Sequence, residues 1–149
     1  GKRGKGGFTF LELMVVCGIL IVALTGLLAT YVTCMELTET TKNSNFALQA
    51  AQKGLEEVRS IAFTSVNATY NNYSTQIPFM AANSSIVRVS VNTSNASLLR
   101  VDVGTCWRQK SGKIIGECRD VSGALALNDS NANGVFDSPV QLVTLVAQR

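Results

Sequence analysis

The chain has 149 residues, enough for one domain, a formal net charge of +3 and no histidine. Without histidine the commonest general base and metal ligand are missing, so Ser-His-Asp and Cys-His catalytic sets are excluded. The positive balance is local: Lys2, Arg3 and Lys5 stand in the first five residues, and from Gly6 onward basic and acidic residues balance at ten each. No nucleic-acid surface is expected from that distribution. No glycine-rich phosphate loop follows a strand, and Glu56 and Glu57 diverge on a helix, so no enzyme is expected.

In chain order, residues 1–7 (GKRGKGG) form a short basic leader, and an apolar run follows. Between Glu12 and Glu36 lie 23 residues without a charge. As a helix they span roughly 34 Å, the thickness of bilayer hydrocarbon. A secretory signal would be shorter and end at a small-residue cleavage site, and no Ala-x-Ala stands at the far end. Basic residues on the N-terminal side predict a cytoplasmic N-terminus and an exported C-terminus. Glu12 is the anomaly. A carboxylate at the centre of a span costs about 2.5–3.5 kcal/mol, less near the interface. Its helical neighbours are Phe8, Thr9, Val15 and Val16, none of which neutralises it.

The order of basic leader, Gly7, Phe8, Glu12 and long apolar run resembles the prepilin signature of type IV pilins and type II secretion pseudopilins. The resemblance covers about residues 2–35. It implies a cut after Gly7 by a prepilin peptidase, N-methylation of Phe8, and polymerisation through the helix. In that family the glutamate meets the terminal amine of a neighbouring subunit, so Glu12 and Phe8 become assembly residues. The implied partners are other pilin or pseudopilin subunits, the peptidase and the bacterial inner membrane. The implied destination is a periplasmic or extracellular filament. Many major pilins carry a proline near the position of Ala29, and this span has none, which leans toward a minor pilin or pseudopilin. The alternative is a single-span anchor presenting a small β domain as a binding module, with Glu12 a tolerated interfacial charge.

The helix is expected to continue past the span. Leu37, Thr41, Ser44, Leu48, Ala51, Leu55, Val58 and Ala62 recur at spacings of four and three, widened by Phe46, Ala47, Ala50 and Ile61, opposite a polar face bearing Lys42, Lys53, Glu56 and Arg59. The domains read as leader 1–7, helix 8–63 (8–35 in membrane or filament core), connecting loop 64–85 with a short strand or helical turn near Ile77, and β domain 86–149. Strand patterns fall at 86–91, 98–107, 113–118, 124–127 and 140–147, joined by short turns. Leu99, Val101, Val103 and Thr105 share one face. The fold class is α+β and pilin-like: a long N-terminal hydrophobic helix packed against a small antiparallel sheet.

Cys17 and Cys34 are separated by about 25 Å on a helix, too far to bond within the chain. Cys106 and Cys118 are symmetric about Gly112, and a hairpin over residues 111–113 would set them directly opposite. A disulfide suits an exported domain, against free or metal-bound thiols. Residues 129–137 (DSNANGVFD) place oxygen side chains at Asp129, Asn131, Asn133 and Asp137, with the Val135 carbonyl at the seventh position of an EF-hand-like loop. Val140 replaces the twelfth-position glutamate, so Ca2+ would bind modestly. An Asn-Gly turn between strands is the other reading.

Overall fold

The computed structural model describes residues 9–132 and 136–148. It divides between Thr38 and Glu39 into two compact units. Helix α1 (Phe10–Ser60) contributes to both.

In the first unit every described residue up to Thr38 is exposed, including Phe10, Leu11, Val22 and Leu27 at 70% or more. The hydroxyls that interrupt this surface are turned inward. Thr25, Thr30, Thr33 and Thr38 donate to the carbonyls of Ile21, Gly26, Ala29 and Cys34 at 2.8–3.1 Å. Each of these hydroxyls is thus satisfied within its own helix.

In the second unit the rest of α1 packs on the sheet through Ala47, Ala51, Leu55 and Val58. In the first turn of this seam Ala47, one of the residues widening the expected stripe, is buried, while Leu48 of the stripe itself is 38% exposed. The helix ends at Ser60, earlier than the expected 63, because Ala62 is extended (φ −65°, ψ 139°). Part of the expected loop 64–85 is helical: α2 (Phe63–Tyr70) follows, with Val66 fully buried and Phe63 and Tyr70 beside it. Those three residues are a helical stripe hidden among Thr, Ser and Asn. Strand β1 (Ser74–Thr75) follows, near the expected position.

Strands β2 (Ser85–Asn95) and β3 (Leu98–Arg108) form the antiparallel centre of a five-stranded sheet. β1 pairs with β2, while β4 (Ile114–Ile115) and β7 (Gln141–Ala147) both pair with β3. The inner face carries Val87, Val89, Val91, Leu99, Val101, Val103 and Trp107, all at most 7% exposed. β5 (Cys118–Val121) and β6 (Ala124–Leu127) make a separate hairpin. A second small core gathers Cys106, Leu125 and Phe136. Gly104 admits it: a β-carbon there would lie 2.8 Å from the Phe136 carbonyl oxygen, so only glycine lets Phe136 approach the sheet.

The expected strand 113–118 is corrected. Only Ile114 and Ile115 pair with β3, opposite Arg108 and Trp107. Gly116 then turns left-handed (φ +93°) and ends the pairing. Cys118 belongs to β5, so it is not the hairpin partner of Cys106.

Candidate functional site

Gly7 and Phe8 lie outside the described residues. Glu12 lies in the first turn of α1. Its backbone N–H donates to the Thr9 hydroxyl at 3.3 Å, and the Leu13 N–H donates to the Thr9 carbonyl at 3.2 Å. Thr9 therefore acts as an N-cap, with Glu12 three residues on. The carboxylate sits where the free N–H groups and the helix dipole favour negative charge, by about 0.3–1 kcal/mol. The cap and the dipole favour the charge without neutralising it. The signal was in the sequence as Thr-x-x-Glu before an apolar run. This offset is smaller than the cost of about 2.5–3.5 kcal/mol at mid-bilayer, so the charge is tolerable near an interface and still gains from a cation.

Cys106 and Cys118 form a disulfide, with their Cα atoms 6.3 Å apart. The bond ties β3 to β5 across the left-handed Gly116, where a β-carbon would come 2.9 Å from the Cys106 β-carbon. Cys17 and Cys34 are free and exposed on α1.

In the segment 129–137, Asn133 and Val135 lie outside the described residues. Asp129, Asn131 and Asp137 are described, and the Asn131 amide donates to Asp137 Oδ2 at 2.7 Å. The structure adds Glu117, which sequence spacing did not reveal. Its carboxylate accepts from Ser130 Oγ at 2.7 Å and from the Asp137 N–H at 3.0 Å. Its backbone is tied to the same loop by Glu117 N–H to the Asp137 carbonyl and Asn128 N–H to the Glu117 carbonyl, each 3.0 Å. The carboxylate of a glutamate beside the disulfide thus reaches residues 13 and 20 positions away. Among the described residues, no three acidic, histidine or cysteine side chains form a metal-holding group.

A shallow cleft of about 120 Å³ within the second unit is lined by Lys53, Glu57, Tyr70, Tyr73 and Gln76. That volume holds a few waters and is below the range of roughly 300–1,000 Å³ for small-molecule sites. Burial, then the neighbouring Glu57 and Tyr73, raise the Tyr70 phenol above its ordinary 10.0.

Comparison with protein-family models, with curated proteins and with solved structures finds no match to this chain.

Proposed function

We propose that the chain is a membrane-anchored subunit that holds a small, disulfide-stapled α+β domain outside the bilayer. The observation that carries this reading is the exposed stretch of α1. It is the one helix among the described residues long and apolar enough to span a membrane, and none of its most apolar window is buried. Burying so much apolar surface needs lipid or other helices.

The finer reading is a subunit of a type IV pilus or type II secretion pseudopilus. It is supported by Gly7, Phe8 and Glu12 in their order, not by the fold. In this reading the prepilin peptidase cuts after Gly7, the span passes from the inner membrane into a filament core, and Glu12 pairs with the Phe8 amine of a neighbouring subunit. The chemistry is assembly, not catalysis. The experiment is N-terminal sequencing of membrane-extracted protein. Methylated Phe8 as the first residue supports the filament subunit. An intact leader in folded, exported protein leaves the anchored binding module as the function.

Calcium at Asp129, Asn131, Asn133, the Val135 carbonyl and Asp137 forms part of the same proposal. All are oxygen donors in the order of an EF-hand-like loop, and Glu117 braces that segment through Ser130 and the Asp137 N–H. A site of extracellular-module strength predicts stabilisation by about 2.7 kcal/mol at a calcium concentration 100 times Kd. Melting curves with calcium and with chelator check it. The difference should vanish in Asp129→Ala, and its absence from the unaltered chain would refute the site.

A further inference from the structure

Among the described residues, one long edge of the sheet has no strand paired to it. Gln148 N–H donates to the Ser97 carbonyl at 3.1 Å, and the register sets Leu99, Val101 and Val103 opposite Val146, Thr144 and Leu142. In an antiparallel pair alternate residues turn both backbone groups to the same neighbour. Leu142, Thr144 and Val146 therefore address β3. Gln141, Val143, Leu145 and Ala147 present their N–H and C=O groups at the free edge, where no described residue pairs with them.

The opposite edge is treated differently. β1 covers Val87 and Arg88 of β2, the Val89 N–H donates to the Tyr73 carbonyl at 2.9 Å, and the Val91 N–H donates to Asn71 Oδ1 at 3.3 Å. β7 carries none of the usual protections against strand addition. Its sequence, QLVTLVA, has no charge, proline or glycine. Val143 and Leu145 are 49% and 61% exposed, on the sheet face away from the helix.

We propose that β7 pairs antiparallel with β7 of a second copy of this chain, in a register centred on Thr144. The free groups make this match. Reflection about Thr144 exchanges Val143 with Leu145 and Gln141 with Ala147, so every free residue meets another free residue. The four facing pairs supply about eight main-chain hydrogen bonds, two per pair. Val143 and Leu145 of each copy then cover Leu145 and Val143 of the other. A slip of one residue would set free groups against groups already bonded to β3. An uncharged strand meets its own copy without repulsion, and anchoring in one membrane raises the local concentration of copies. The inference goes beyond the proposed function and needs only the folded β domain. A two-fold pair closes on itself, so it does not build a filament.

The test is light scattering during size exclusion of the full chain in detergent, with Val143→Pro and Leu145→Lys. Proline at 143 removes an N–H that β3 does not use, which an edge strand tolerates. Lysine at 145 sets an ammonium against Val143 of the second copy. The expected result is a dimer whose dissociation constant rises at least tenfold in both variants, with unchanged circular dichroism and melting. A monomeric unaltered chain overturns the proposal. So does a dimer that persists in the folded variants, as association through α1 would. Should Val143→Pro fail to fold, Leu145→Lys decides alone. Failure here leaves the anchor untouched, since membrane extraction reads that separately.

Discussion

Trp107→Ala lowers the stability of the β domain by about 3–5 kcal/mol, the range for emptying a buried aromatic position. Trp107 is the largest fully buried side chain, and it joins the core that α1 and the inner face of the sheet share. It stands opposite Ile115 at the point where β4 joins β3. Truncation therefore removes packing from the helix-facing core and from the start of the disulfide-bearing turn together. Its indole N–H has no hydrogen-bond partner among the described residues. Trp107→Phe gives up no such bond and should lose less than half as much. Urea unfolding followed by far-ultraviolet circular dichroism checks both variants. A loss below about 1 kcal/mol in Trp107→Ala would show that the indole is not part of a tightly packed core.

Breaking the Cys106–Cys118 disulfide is the second large effect. The bond closes a short loop, with a sequence separation of 12. The entropy restored to the unfolded chain predicts a loss of about 3 kcal/mol. In a domain of this size that is a fall in Tm on the order of 10 °C. The Cys106→Ser, Cys118→Ser double variant should lose somewhat more, since Cys106 is fully buried beside Leu125 and Phe136 and a hydroxyl there is costly. Thermal melts with and without reductant measure the first effect. Equal melting of oxidised and reduced protein would remove the staple from the account of stability.

Periodicity made most of the fold legible. The spacing of four and three carried α1 through the weak helix formers Thr38, Thr40 and Thr41, and alternation found Leu99, Val101 and Val103 on one buried face. The short stripe of Phe63, Val66 and Tyr70 is masked by polar neighbours, so composition predicts a loop where α2 forms. The cysteine pair was visible, but the geometry was not. Gly116 takes a left-handed turn, and this moves Cys118 out of the β3–β4 ladder into β5. The candidate site was read in part. Glu12 stood out as a charge in an apolar run, but its place beside the Thr9 cap was missed.

By itself the sequence determined the long apolar helix, because length, charge and hydropathy along one continuous segment suffice for a helix that must bury its surface elsewhere. It also determined the alternating core and the residues able to form a disulfide. Only the tertiary structure decided which strands lie at the edges, and so left β7 open while covering β2. Only it brought Glu117 to the loop of Asp129 and Asp137 and Phe136 against Gly104. The physical reason is common to these cases. Local patterns report each residue's preference for a face, whereas an edge or a distant contact depends on how whole strands are ordered, and that order is set by burial across the domain.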